Sequence, residues 1–305
     1  MATPKKVLLL HYSQTGQLDS LAAHFVQPLQ AAEGIEVETV RLEPQTPYPF
    51  PWPFWRFFDT FPETVHLQPQ PIRTPVFRHE RYDLVILAYT VWFLSPAQPI
   101  TAFLQSPQAA VLRDTPVLTL IGCRNMWLMA QETVKELLRQ NGARLVDNVV
   151  KIDACSSAAS FITTPLWMLS GRKKGASWLP EAGIALSELV DGARFGARVR
   201  DCLLTQDTID APMLTGMGAV KVNERLIFSE KAAKRSFWLW GRLLMACGRI
   251  SPVLRRGVLA LYIAFLITLI LTVVPVSAVV KKLLSPWLKE RIAAQKAYFS
   301  QPSGE

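Results

Sequence analysis

The stretch HYSQTGQL, residues 11–18, places small hydroxyl residues and one glycine between an apolar run and an amphipathic segment. Ser13 and Thr15 can donate hydroxyls, and Gly16 lets the backbone approach a ligand closely. The amides of Thr15, Gly16, Gln17 and Leu18 would open a helix and point at an anion. Gln14 lies within the same turn. The loop has no lysine and lacks GxxxxGK[ST], so a triphosphate is not its natural ligand; it also lacks GxGxxG, which argues against a dinucleotide fold. A neutral loop of hydroxyls and amides suits one phosphate monoester. The same residues also make an ordinary Ser/Thr turn with a helix cap.

Such a loop needs a strand to end and a helix to begin. VLLLHY (7–12) is a continuous apolar run, as expected of a strand buried on both faces, and helical spacing follows at Leu18, Leu21, Ala22, Phe25 and Leu29. Further strands are predicted over 35–42, 82–89, 115–123 and 143–153. Helices are predicted after 94, over 130–142, and over 180–204 with Pro180 near the first turn. The alternation runs through about 200 residues and predicts a doubly wound α/β domain with a five-stranded parallel sheet over 1–204. The interval 154–179 is an insertion in that plan, apolar and then basic. In such sheets ligands bind beyond the carboxyl ends of the strands. Two further strand ends therefore matter: AYTVWFLSPAQPITAFL (88–104) and IGCRNMW (121–127).

Residues 1–204 carry 19 Lys+Arg against 18 Asp+Glu, whereas 205–305 carry 14 against 6, so the basic excess belongs to the last third. Within it, GVLALYIAFLITLILTVVPVSAVV (257–280) holds no charge over 24 residues and is flanked by Arg255–Arg256 and Lys281–Lys282. That length suffices for a bilayer core, and the preceding tryptophans and bases suit a headgroup zone. A membrane-associated helical tail is expected over 205–305, with the chain on the cytoplasmic face of the cell membrane; a buried core helix reads similarly. Nucleic acid is not expected as a partner, because the bases cluster around an uncharged apolar segment. Cys123, Cys155, Cys202 and Cys247 form no CxxC, and the four histidines show no HxxxH or HExxH, so reduced thiols and no protein-held metal are expected. MATPKK runs straight into a strand pattern, which predicts no signal peptide.

SQTGQL after a first strand resembles the flavodoxin phosphate loop, [ST]-x-T-G-x-T, matching at Ser13, Thr15 and Gly16 and departing at Leu18. The segment 88–104 is similar to the ring-framing loop of flavodoxin-like quinone reductases. That likeness implies that Thr90, Val91, Trp92 and Phe93 frame an isoalloxazine, and that Gly122, Cys123 and Arg124 border its edge. The resemblance covers about 5–204 and implies a flavodoxin-like fold, FMN as cofactor and pairing as a homodimer. Residue by residue, Cys123 reads as a packing thiol at a strand end. Arg124 reads either as charge for an anionic reduced flavin or as a solvated arginine.

PYPFPWPFWRFFDTFPE (47–63) holds eight aromatic residues and five prolines, and leaves the second strand on the ligand side of the sheet. Trp52, Trp55 and Phe58 are expected to form either a substrate-side hydrophobic wall or extra core. With VLLLHYSQTGQL, this stretch resembles the flavodoxin-related proteins of dialkylresorcinol biosynthesis, often labelled condensing enzymes. That resemblance implies aromatisation of a dialkylcyclohexanedione supplied by a separate ketosynthase of the same pathway. The expected activity is FMN-dependent oxidation of a lipophilic ring, with His11 or Tyr89 as candidate proton acceptors. The alternatives are a membrane-tethered NAD(P)H:quinone reductase and a flavin-free module that recruits a partner.

Overall fold

The computed structural model describes residues 3–156 and 159–304, and the side chains of all of these except 273–288. Part of the expected apolar segment, the side chains of 273–280, thus lies outside the described residues, as do those of Lys281 and Lys282.

Five strands run parallel: β1 (Lys5–His11), β2 (Ile35–Arg41), β3 (Leu84–Trp92), β4 (Pro116–Cys123) and β5 (Arg144–Ile152). Their order is β2-β1-β3-β4-β5, the flavodoxin-like doubly wound order, whose switch point lies between β1 and β3. The central strands are buried on both faces: Val7, Leu8, Leu10, Val85 to Ala88 and Leu120 are 0% exposed. This explains their unbroken apolar runs.

Helix α1 (Gln17–Gln30) follows β1. The aromatic stretch closes into two short helices, α2 (Phe54–Asp59) and α3 (Phe61–Val65). Then come α4 (Gln98–Leu104), α5 (Leu128–Gln140) and, within the insertion, α6 (Ser160–Ser170). The single helix predicted over 180–204 is instead α7 (Leu186–Val190) and α8 (Gly192–Thr205). Pro180 lies outside both. Gly183, at φ 100°, turns the chain first, and the helix proper starts where Gly192 and Gly196 meet α1. A Cβ on Gly196 would sit 1.8 Å from the Phe25 carbonyl oxygen, so only glycine permits this α1–α8 crossing.

Two long helices form the tail, α9 (Glu224–Ile250) and α10 (Pro252–Ser300). They build a second core cluster with α3, in which Phe61 and Val65 meet Leu244, Leu259, Tyr262 and Ile263. Phe61 and Tyr262 stack with ring centres 4.6 Å apart. The tail is therefore packed onto the α/β domain through the aromatic stretch. Residues Pro252–Thr272 are long and apolar enough to cross a membrane, with mean hydropathy 2.0.

Candidate functional site

A cleft of about 120 Å³ opens beyond the carboxyl ends of β1, β3, β4 and β5. It gathers Ser13, Gln14, Thr15, Gln17 and Leu18 from the first loop, Thr90, Val91 and Trp92 from the end of β3, and Gly122, Cys123 and Arg124 from the end of β4. Three segments far apart in sequence thus converge where the strand order reverses. Gly16 caps α1 at φ 80° and is exposed beside the cleft. That left-handed backbone turns the first amides of α1 outward. The amides of Gln17, Leu18 and Asp19 have no acceptor within the helix, as for any helix start. Ser13 is 2% exposed, and its Oγ accepts from Gly16 N at 3.1 Å, which leaves its hydroxyl hydrogen to donate. The Arg41 guanidinium donates to the Ser13 carbonyl at 2.8 Å. Together these groups are a donor set for an oxyanion. Leu18 is buried and packs toward Gly122, so it supplies an amide and no hydroxyl.

The loop is held by the aromatic stretch. Gln14 Nε2 donates to the Pro49 carbonyl at 2.7 Å, and its Oε1 accepts from Trp52 Nε1 at 3.1 Å. Trp52 is 4% exposed in a ring cluster with Tyr48 and Trp92, the last at 5.7 Å. Trp92 also meets Tyr12 and Tyr48 edge-on, at 5.9 and 4.9 Å. Trp92 therefore shows the cleft only part of its surface.

The expected substrate wall divides. Trp52 supports the loop 13–18 from beneath. Trp55 is 41% exposed and carries Arg256 over its ring at 5.4 Å, facing the tail. Phe58 packs on Phe54 and Phe57 and against the second core cluster. None of the three lines the cleft. α2 turns Trp55 and Phe58 toward the tail, whereas Phe57 packs back on Trp52 and Phe93.

Phe93 also stands outside the cleft. It forms, with Leu94, a two-residue turn that returns β3 to Ser95–Pro96, and both residues are left-handed, at φ 49° and 58°. Such turns ordinarily take Asn-Gly, so the backbone here is strained. Phe93 is held by Phe57 and Phe61 at 5.2 and 5.5 Å, and the Leu94 carbonyl accepts from Lys234 of α9.

Neither candidate proton acceptor reaches the cleft. His11 is 7% exposed, and its Nδ1 lies 3.0 Å from Asp19 Oδ1. Burial pushes its imidazole down, and the Asp19 carboxylate offsets this only in part. Tyr89 is fully buried and donates to Gln131 Oε1 at 2.5 Å; burial pushes its phenol far up. Both are core residues because β1 and β3 alternate their side chains between two helix-covered faces. Cys123 lines the cleft, but burial also pushes its thiol up, so it stays protonated. Arg124 donates from Nε to Ser160 Oγ at 2.8 Å and lies 4.2 Å over the Phe161 ring. Its guanidinium thus reaches α6, and the Asp153 carboxylate also favours its charge.

The remaining lining is Asp153, Thr164, Trp167, Met168, Gly183 and Ile184, to which no sequence motif assigns a role. Asp153 closes the neck of the insertion, accepting from Cys155 N at 2.7 Å and Gly183 N at 2.9 Å. Gln17 Nε2 donates to the Ile184 carbonyl at 3.1 Å, joining the neck to the start of α1. α6 then lies over the cleft with Thr164, Trp167 and Met168 inward. The signal was positional: the insertion leaves the carboxyl end of β5, the same edge as the other loops. Among the described residues, no group of His, Cys, Asp and Glu is placed to hold a metal.

No family profile and no curated protein matches the chain. Among solved structures, an FMN-complexed flavoprotein from Lactobacillus acidophilus is 17% identical, covering 48% of this chain and 93% of its own, with TM-score 0.39. A flavodoxin from the domain Archaea is 9% identical over 65% of this chain and 99% of its own, with TM-score 0.36. A WrbA-like flavodoxin from Agrobacterium tumefaciens is 11% identical over 65% and 96%, with TM-score 0.35. The fold assignment rests on the strand order.

Proposed function

We propose that the chain is an FMN-dependent oxidoreductase acting on a lipophilic ring substrate. The carrying observation is the convergence of the amide-rich loop 13–18 with the ends of β3 and β4 at the topological switch point. The residues fit a phosphate monoester. Ser13 Oγ and the first amides of α1 would hold it, Arg41 braces the loop from behind, and nothing lies within 4 Å of where a Gly16 Cβ would stand. The ring side is apolar, with Val91, Trp92, Trp167, Met168 and Ile184. FMN, when bound, supplies two-electron redox chemistry at that position. The chain's own residues bind, orient and exclude water.

A cleft of about 120 Å³ is below the roughly 300–1,000 Å³ of small-molecule sites, so ring binding requires α6 to give way. The same narrowness favours a second reading, a flavin-free module that recruits a partner. The finer reading, aromatisation of a dialkylcyclohexanedione made by a ketosynthase, is supported by the sequence resemblance of 7–18 and 47–63. A membrane-tethered quinone reductase would use the same loops, and turnover of NADPH with a quinone but not of a cyclohexanedione would favour it. The deciding experiment is an absorption spectrum of the detergent-purified chain before and after FMN addition, with extraction of any bound flavin. Bound FMN supports the oxidoreductase. A colourless protein that acquires no flavin bands supports the module and rejects both enzymes.

A further inference from the structure

The two ends of the tail helix α10 land on the same domain. At its start, Arg255 donates from Nε to Asp59 Oδ1 and from Nη1 to Glu63 Oε1, both at 2.7 Å, and from Nη2 to the Asp59 carbonyl at 2.9 Å. At its end, Tyr298 donates to Glu132 Oε2 of α5 at 2.7 Å, and Phe299 is 3% exposed in the main core. Beyond it, Ser303 is 1% exposed; its Oγ donates to Asp147 Oδ1 at 2.8 Å and accepts from Asn148 N at 2.6 Å. A single traverse of a bilayer would leave these ends on opposite faces. The following stretch, 281–300, carries six charged residues and cannot serve as a second span.

We propose that the tail is a monotopic insert: the α9–α10 hairpin enters one leaflet of an anionic bilayer and leaves by the same face. α10 meets α9 through Leu259, Tyr262, Ile263 and Leu266, a stripe at helical spacing. Its other face is apolar and exposed, with Leu254, Leu261, Phe265, Ile267 and Leu271. α9 continues that surface with Leu239, Leu243 and Ile250, and sets Arg235, Arg242 and Arg249 seven residues apart along an exposed edge. Trp238 lies beneath Arg242, whose guanidinium is 5.6 Å from its ring. An apolar face bordered by arginines and an indole is what a helix lying at the headgroup level requires. The arginine row supplies the complement to anionic headgroups.

The inference is independent of the flavin reading. It is tested by mixing the purified full chain, with an epitope tag after Glu305, with sealed vesicles. One set is phosphatidylcholine alone; the other is equal parts phosphatidylcholine and phosphatidylglycerol. The chain is expected to float with the mixed vesicles, with the tag open to antibody without detergent. The R235Q/R242Q/R249Q variant should lose about 100-fold of its affinity for the mixed vesicles, at roughly fivefold per arginine. A tag protected until detergent is added would mean a single crossing and overturn the proposal. So would a chain that floats equally with neutral vesicles and is indifferent to the arginine changes. Failure to float with either set would assign the exposed apolar face to a protein partner and overturn it as well.

Discussion

The ammonium of Lys234 donates to the Leu94 carbonyl at 3.0 Å and to Ser95 Oγ at 2.7 Å. This contact fastens the tail to the strained turn that ends β3, whose preceding residues line the cleft. The tail is therefore a structural neighbour of the site.

Lys234 is four residues from Glu230, which is 0% exposed and accepts from Met129 N at 2.7 Å. Burial pushes Glu230 up to about 7 and Lys234 down to about 8, each against the attraction of the other. Between pH 4.5 and about 7 the folded chain keeps a proton on Glu230 that the unfolded chain releases, so stability falls as pH rises. Between about 8 and 10.5 the folded chain releases the Lys234 proton that the unfolded chain keeps, so stability rises again. This pair thus gives a minimum near pH 7–8. Glu230→Gln should remove the falling limb, leaving the variant equal to the parent near pH 4.5 and more stable near pH 8. Urea midpoints across pH check it. A parallel fall in both proteins would show that Glu230 is not responsible.

Gly16 holds the proposed phosphate loop at φ 80° with open space where a Cβ would stand. Gly16→Ala adds no clash and penalises only the left-handed backbone, by roughly 1–2 kcal/mol. Where both free and bound loops keep this backbone the cost falls on stability; FMN affinity falls, by up to about 5- to 30-fold, as far as the free variant loop relaxes from it. Flavin fluorescence titration measures this. Unchanged affinity with undiminished stability, which shows that the loop has relaxed, would place the phosphate elsewhere.

The parallel sheet was legible because each central strand is buried on both faces and reads as an unbroken apolar run, as in VLLLHY. The strand-to-helix turn 13–18 at the cleft was legible because a strand, hydroxyls and Gly16 are contiguous. The wall was not, because Trp52 and Trp55 are alike in composition and differ only in placement: Trp52, ahead of α2, lies under Gln14, and Trp55, within α2, faces Arg256. The lid was not, because α6 closes the cleft through the Asp153–Gly183 neck, a contact 30 residues apart. The break at Asp191 depends on α8 meeting α1, a tertiary demand that overrides helical periodicity.

That division of the aromatic stretch has a measurable consequence. Trp52 fills a ring cluster, and Trp52→Ala should cost about 3–5 kcal/mol. Trp55→Ala removes a half-exposed ring and an exposed cation contact, and should cost about 0.5–1 kcal/mol. Denaturant midpoints of the two variants separate these values. Equal losses would mean that Trp55 is buried, against its 41% exposure.

Trp167 is the largest side chain that α6 turns into the cleft, 6% exposed and edge-on to Phe50 at 6.1 Å. If ring entry is limited by the lid, removing this indole opens volume where the cleft is short of it. Trp167→Ala should then speed FMN association several-fold while leaving untouched the amides proposed to hold the phosphate. Stopped-flow fluorescence reads the rate, and titration with inorganic phosphate reads the loop alone. Because Asp153 and Gln17 tie both ends of the insertion to the sheet edge, the gain should come from lost bulk and not from a loosened neck. An unchanged association rate would show that α6 moves freely at its neck and that Trp167 is no gate.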